Sequence, residues 1–535
     1  MGELKLAAVF SNNCVFQRGK SIAVFGSGRE GTSVEAVLTG KVLGTEKEQC
    51  AKGRGRVKNG RFEFRIPSLR EGLDHTLTVT DGQTTITLEN IAIGEVWLAG
   101  GQSNMELELR NCAERDALNR PADPMLRFYY TPKQAYMNEN FFRVEENTGW
   151  DCFGGPGTGA WSAVGYFFGE KLQKKLQVPV GIIGCNWGGT SASTWIPREA
   201  MAEDRDLQIY LDAYDEAVKD KSEEQQLKEY EEYSIYQAEF DRKIAAVYQE
   251  RPDIEWDEAV SLVGENRYPG PLGCGSPYRP GGLYECMVKR VMPYTLKGFL
   301  YYQGESDDHL PHLYYKLFSR LIRQWREDWG DDSLPFLFVQ LPMHRYKQDP
   351  DFKHWCLIRE AQDLVYRTVR NTGMVCAMDQ GEFNEIHPKR KSVVGERLYL
   401  QALDVAYGMG SQETKAPRFS WAEPGEGELI LHFDNVKGGF LATPDIPESE
   451  MPAGTNGVLF EVAGVDGVYV PVDQWLSQEM PEGTILRVRS AKVQDPVFAR
   501  YLWTNYCGGS ILLGKNRLPL APFRTDRRDG FKVGQ

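Results

Sequence analysis

At 535 residues the chain has room for two to four domains of about 150 residues each, and 41% hydrophobic with 26% charged residues is the composition of an ordinary folded protein. A formal net charge of −13 argues against nucleic-acid binding, which needs a basic face. No run of about 18 apolar residues is present, so no helix of the chain is expected to span a membrane.

The first residues, MGELKLAAVFSNNCVF, carry a short apolar patch but no charged leader before it. A cytoplasmic chain is expected, and the same features fit an already processed, secreted mature form. Residues 1–90 read as β: SIAVFG, TSVEAVLTG, GRFEFRIP and HTLTVTDGQTTITLENI are short runs rich in β-branched and aromatic residues, punctuated by Gly, Asn and Asp. Short strands at regular spacing predict a β-sandwich. The polar, glycine-rich stretch GKVLGTEKEQCAKGRGRVKNGRF reads as a long hairpin within it.

From 91 to 414 apolar strand-like runs alternate with helix-period segments. IGEVWLAG, VPVGIIGC, KGFLYYQ, LPFLFVQLP and TGMVCAMD are the runs. WSAVGYFFGEKLQKKLQ, LYYKLFSRLIRQW and LIREAQDLVYRTV repeat apolar residues at helical spacing. Such alternation predicts an α/β domain with a mostly parallel sheet covered on both faces. A charge-dense block at about 199–262 interrupts it; it reads as an inserted helical hairpin, either a solvated support or a lid near the site. Residues 415–535 return to β, with GELILHFDN, GVLFEVAG, GVYVPVD and GTILRVRS, and predict a second sandwich. Ten cysteines are scattered without a CxxC pair or zinc spacing, and are expected to be reduced and mostly buried.

Four of the central runs end in glycine and polar residues: GGQSN, CNWGGTSAST, QGESDD and DQGEFNEIHP. In open α/β sheets ligands bind beyond the carboxyl ends of the strands, so these loops converge on one crevice. Ser103 in the first loop has two readings. Ser103-x-x-Glu106 fits a capping box, and a serine at a strand end fits a nucleophile. A serine nucleophile needs a base, usually histidine. Of the seven histidines, His75 and His432 fall in the flanking β regions, and His309, His312, His344 and His354 lie near loops and helix starts. His387, in NEIHPKRK, follows the last strand and precedes a helix, which favours it as the base. Gly188-Gly189 can bring backbone N–H groups close to a developing oxyanion, and Gln303 carries an amide donor. Each also reads as an ordinary turn residue.

GEVWLAGGQSNMEL, GIIGCNWGGTSASTW, KGFLYYQGES and IHPKRKSVVGERL together resemble the sialate O-acetylesterases, serine carbohydrate esterases of the SGNH-hydrolase superfamily. FSNNCVFQRGKSIAVFG and YLWTNYCGGSILLGKNRLPLAPFRTD extend the resemblance to both ends. It implies an SGNH-like, flavodoxin-like three-layer domain with flanking β-sandwiches. It also implies removal of O-acetyl groups from sugars, sialic acids first, with no metal or organic cofactor. Ser103 matches the nucleophile, His387 the base, and Ser103 N–H, Gly189 and Gln303 the oxyanion donors. Two positions depart from the pattern. Asn384 stands where an Asp three residues before the histidine often orients the imidazole, so the third member is a neighbouring carboxylate (Glu385 first, with Glu382 and Asp379 near it), a backbone carbonyl, or none. Glu285, after Tyr284, stands where Asn is frequent. The alternatives are an acetyl-xylan or other carbohydrate O-acetylesterase, for which a bidentate Arg such as Arg279 would discriminate sialate, and a non-catalytic carbohydrate-binding protein.

Overall fold

In a computed structural model, which describes residues 2–251, 254–444, 451–452, 455, 457–481 and 483–526, Thr85–Gly101 forms one strand of 17 residues. Its sequence, TITLENIAIGEVWLAGG, alternates polar and apolar residues up to Asn90 and then turns almost continuously apolar. Burial follows the sequence: exposed and half-buried residues alternate to Asn90, and every residue from Ile91 onward is buried. Alternation belongs to a sheet with one wet face, and a continuous run to a sheet covered on both. The first half pairs antiparallel with Gly72–Thr80, and Ala92–Gly94 pair parallel with Val15–Gln17. The second half is the centre of a parallel sheet. The expected boundary at residue 90 therefore falls inside a strand that joins the N-terminal β region to the central one.

The central strands lie in the order Asp151–Phe153, Asp123–Tyr130, Val180–Asn186, Thr85–Gly101, Gly298–Tyr302, Phe336–Gln340, Thr372–Cys376. Only Asp151–Phe153 runs antiparallel to its neighbour. In register, Ile183 and Phe299 flank Leu98. The chain adds Asp123–Tyr130 and Val180–Asn186 on one side of Thr85–Gly101, then crosses and adds the last three strands on the other. The carboxyl end of Thr85–Gly101 is thus the point where strand order reverses, and a crevice forms at such a point.

Helices cover both faces. Trp97 and Gly100, three residues apart on one strand, face opposite sides. Phe168, on Ala163–Leu176, meets Trp97 at 5.2 Å between centroids. Trp325, on Tyr314–Trp329, lies where a Cβ of Gly100 would point, 2.7 Å away. Ser162 starts the first of these helices by accepting from Gly165 N–H, and Gly330 ends the second in the left-handed region at φ 62°.

In the N-terminal region, Ser33–Lys41 and Glu48–Arg56 form an antiparallel hairpin, as the polar, glycine-rich stretch suggested. The inserted block is four helices rather than one hairpin: Arg198–Ala202, Gln208–Val218, Glu223–Glu250 and Trp256–Val263. The longest starts at Ser222, whose side chain accepts from Gln225 N–H, with Glu223 and Glu224 favourably placed in its first turn. Phe240 and Ile244 pack with Ile254 and Ala259 into a small core separate from the main one. In the C-terminal region, Arg418–Pro424, Leu429–Asp434, Gly483–Arg489 and Gln474–Met480 form one antiparallel sheet. Val470–Pro471, Phe460–Ala463, Phe498–Tyr501 and Phe523–Arg524 form a second. Phe419 of the first stacks on Phe523 of the second at 4.3 Å. Seven of the ten cysteines are buried. Residues 527–535 of the expected C-terminal unit, and Pro252 and Asp253 of the insertion, lie outside the described residues.

Candidate active site

Ser103 opens a helix of four residues, Ser103–Glu106, at the carboxyl end of the central strand. The capping-box reading fails. The N-cap is Gln102, no side chain caps the helix, and Glu106 turns away: its Oε2 accepts from Gly188 N–H at 2.5 Å and its Oε1 pairs with Lys133 Nζ. A single helical turn leaves its first N–H groups without intrahelical carbonyls. Accordingly no group among the described residues accepts from Ser103 N–H, and the Ser103 hydroxyl is unengaged. Ser103 itself is half-buried.

Gly188 and Gly189 follow the neighbouring strand Val180–Asn186. A Cβ on Gly188 would stand 3.3 Å from the Ser103 Cβ and 3.4 Å from Glu106 Oε2. Gly189 sits at φ +72°, where only glycine is unstrained, and a Cβ there would meet the Tyr268 hydroxyl at 1.9 Å. With Gly188 N–H given to Glu106, Gly189 N–H remains without an acceptor among the described residues. Two unengaged backbone donors thus lie on adjacent strand ends beside the Ser103 side chain.

Gln303 reaches the same place but is already committed. Its Nε2 donates to Thr190 O at 3.1 Å and to Asp307 Oδ2 at 2.6 Å, and its Oε1 accepts from Tyr314 at 2.9 Å. Both amide hydrogens are spent, so as folded Gln303 is a strut between loops and not a free oxyanion donor. Asp307 completes the strut: its Oδ1 accepts from Ser191 Oγ at 2.6 Å and its Oδ2 from Ala192 N–H at 2.9 Å. The amide with an unspent donor is Gln102, whose Oε1 accepts from Gly304 and Ser306 N–H at 3.3 Å while its Nε2 has no acceptor among the described residues.

The His387 loop arrives from beyond Thr372–Cys376. Ser103 and His387 are not hydrogen-bonded to each other, but their neighbours are. Asn104 Nδ2 donates to the Ile386 carbonyl at 2.9 Å. Burial, reinforced by the Lys391 and Lys389 cations, holds the His387 pKa down at about 4, so the imidazole is a neutral acceptor at ordinary pH. Glu385 lies against it, with Oε1 3.7 Å from His387 Nδ1 and accepting from His387 N–H at 2.7 Å. The other carboxylates are occupied. Asp379 forms a two-point pair with Arg397 at 2.6 and 2.7 Å, and Glu382 accepts from Lys389 N–H at 3.3 Å. Asn384 shapes the loop. It sits at φ 59°, donates its N–H to Arg345 O at 3.0 Å, and accepts from Lys347 N–H at 3.0 Å.

Beneath Ser103 lies a polar cluster that sequence reasoning passed over. Asn104 Nδ2 also donates to Glu305 Oε1 at 2.7 Å, and Lys391 Nζ donates to Asn104 Oδ1 at 2.5 Å. All three side chains are buried. Burial raises the Glu305 pKa and lowers that of Lys391 to about 7. Each lies within a block already singled out for a neighbour: Asn104 beside Ser103, Glu305 two after Gln303, Lys391 four after His387. Attention to nucleophile, base and donors alone hid them. Glu285 and Arg279 have other partners. Glu285 pairs with Lys289 at 2.8 Å beside the cavity between the N-terminal strands and Trp329. Arg279 donates to Ala135 O at 3.3 Å. Among the described residues no group of three His, Cys, Asp or Glu side chains is arranged to hold a metal.

A family model described as a carbohydrate esterase, sialic acid-specific acetylesterase, matches residues 275–403, which include Gln303, Glu305, His387 and Lys391. The sialate O-acetylesterase of Mus musculus is 27% identical over 471 residues, 82% of this chain and 78% of that protein. The Homo sapiens sialate O-acetylesterase is 26% identical over 467 residues, 80% and 75% of the two chains. Among solved structures, a carbohydrate acetylesterase from Xanthomonas citri superposes with a TM-score of 0.72 at 25% identity, covering 98% of this chain and 99% of that one.

Proposed function

We infer that this chain, a carboxylic ester hydrolase similar to the sialate O-acetylesterases, removes O-acetyl groups from sialic acids by a serine acyl-enzyme route. The observation that carries the reading is the convergence of Ser103, the Gly189 turn and the His387 loop at the switch point of the parallel sheet. Ser103 Oγ attacks the acetyl carbonyl while His387 takes its proton. The N–H groups of Ser103 and Gly189 hold the oxyanion, and their worth lies in being preorganised and unspent. Gln102 supplies the side-chain donor in place of Gln303. Glu385 steadies the imidazole through Nδ1. His387 then protonates the sugar oxygen as it leaves, and water attacks the acetyl-serine to release acetate. In fold terms the chain is an SGNH-like central unit of residues 91–414, flanked by β units at 1–90 and 415–535. The N-terminal β unit shares its last strand with the centre.

Acetate release from O-acetylated sialic acid, run beside acetylated xylan, tests the reading. Ser103→Ala is expected to lower release at least about a thousandfold with the fold intact by circular dichroism. Full residual activity in that variant refutes the serine route, and preference for the xylan ester redirects the substrate.

A further inference from the structure

Asn104 stands between the nucleophile and the base in a literal sense. It follows Ser103 in the chain, and its side chain holds the carbonyl that precedes His387. The orientation of its amide is dictated by its partners. The Ile386 carbonyl can only accept, so it meets Nδ2, and the ionised Glu305 carboxylate does the same, while cationic Lys391 can only donate, so it meets Oδ1. No flipped arrangement satisfies all three. A cation on one end of an amide and a carboxylate on the other polarise it in the same direction, which strengthens each bond. Asn104 is 0%, Lys391 1% and Glu305 5% exposed, so water does not compete for these bonds.

We propose that Lys391, Asn104 and Glu305 form a buried brace that positions the Ser103 turn against the His387 loop and sets the charge felt by the imidazole. The proposal rests on Ser103 and His387 being nucleophile and base. The brace joins three strand-end loops: Asn104 comes from the central strand, Glu305 from the next, and Lys391 from the base-bearing loop as it enters the helix Ser392–Val405. Lys391 is further fixed by its N–H on Glu114 at 3.2 Å and by the Tyr302 ring 5.5 Å from its Nζ.

The electrostatic part has a definite sign. The charged groups around Lys391 are Glu305, Glu382 and Glu385, which favour its cation, and Lys389, which opposes it. Those around His387 are Glu385, Lys389, Lys391 and the nearby imidazole of His344. With its own pKa held at about 7, Lys391 is cationic throughout the range in which His387 titrates. Its charge therefore disfavours the imidazolium, and removing it must move the His387 midpoint upward. Lys391, Asn104 and Glu305 touch no reacting atom and are positioning residues.

The test titrates the His387 imidazole by NMR in the full chain labelled at histidine, which reads the brace whether or not the chain hydrolyses an ester. His387→Gln assigns the signal. Lys391→Met and Lys391→Gln are both expected to move the midpoint up by at least about half a pH unit. The Gln variant still donates to Asn104, so it keeps the hydrogen bond while losing the charge. In parallel, Asn104→Ala is expected to lower kcat for p-nitrophenyl acetate at least about tenfold with KM unchanged, the mark of lost alignment. A folded Lys391 variant with an unmoved His387 midpoint overturns the electrostatic role. A folded Asn104→Ala with wild-type kcat overturns the positioning role. A wild-type chain inert toward every acetyl ester, with the midpoint shift intact, overturns the esterase reading instead.

Discussion

At the residue scale the site is a set of donors sorted by whether they are already spent. Gly188, Gln303 and Asn104 have given their hydrogens to Glu106, Asp307 and the Ile386 carbonyl, and so fix the loops. Ser103 and Gly189 have not, and so can meet a new charge. Sequence alone identified the loops but could not tell a strut from a donor, because that difference lies in partners far away in the chain. The same holds for the orienting acid. Asn384 occupies the position where an aspartate is common, yet it serves the loop through backbone partners, while Glu385 lies 3.7 Å from Nδ1. Glu385→Gln is therefore expected to lower kcat/KM about ten- to a hundredfold at neutral pH, with Asn384→Ala changing it about threefold or less at matched temperature. Steady-state kinetics on p-nitrophenyl acetate checks this, and equal losses would place Asn384 in the machinery.

At the element scale, what was legible followed from periodicity. The switch from alternating to continuous apolar residues at Ile91 marked where Thr85–Gly101 leaves a half-wet sheet and enters a covered one. The helices Ala163–Leu176, Tyr314–Trp329 and His354–Thr368 announced themselves by apolar spacing. What was not legible was sharing: no local pattern says that one strand serves two regions, so the break placed at residue 90 cut through it. The insertion was legible as helix and opaque as to purpose. Most of Glu223–Glu250 is solvated, as its charge predicts. The turn that follows the insertion brings Tyr268 over the crevice, with its hydroxyl 3.4 Å from Gly189 O and its ring edge-on to Tyr278 at 5.6 Å. Lys347, in the loop beyond Phe336–Gln340, ties the insertion down at Glu255 with a bond of 3.2 Å. An aromatic ring over the proposed acyl site would contact a bulky sugar more than a flat phenyl ester. Tyr268→Ala is expected to raise KM for an acetylated sugar about three- to tenfold while changing kcat/KM for p-nitrophenyl acetate by about twofold or less. Equal losses on both substrates would make Tyr268 a support of the Gly189 turn and nothing more.

At the scale of the whole molecule, the C-terminal β region is bolted to the site and not merely appended to it. Arg359, buried on His354–Thr368, donates to four carbonyls: Leu341 and Pro342 at the end of one central strand, and Thr504 and Asn505 of the C-terminal region, at 2.8 to 3.1 Å. Tyr506 packs edge-on against Phe383 of the His387 loop at 5.4 Å. His344 lies in this seam. It donates its N–H to Asn505 O at 3.0 Å, and its ring sits between Tyr346 at 4.5 Å and Trp355 at 5.1 Å. Among the described residues no partner meets either ring nitrogen in good hydrogen-bond geometry, and burial, opposed by the backbone of Glu382 and Glu385 and by the Glu385 carboxylate, holds its pKa down at about 4. A folded-state pKa below the unfolded one means that the unfolded chain takes up the proton first as pH falls. Stability from this group is thus complete above about 6.5 and lost as pH drops toward 4, a loss of up to ~3 kcal/mol for one fully buried imidazole. Glu305 and Asp307, whose pKa values burial raises, act in the opposite sense, so the decisive measurement is a difference between two chains. His344→Phe keeps the aromatic packing and cannot be charged. Its melting temperature is expected to fall less than that of the wild type between pH 6.5 and pH 4, so that the variant's value minus the wild type's rises steadily as pH drops across that range. Parallel melting curves would mean that the seam carries no acid-sensitive imidazole, and that acid weakens the fold elsewhere.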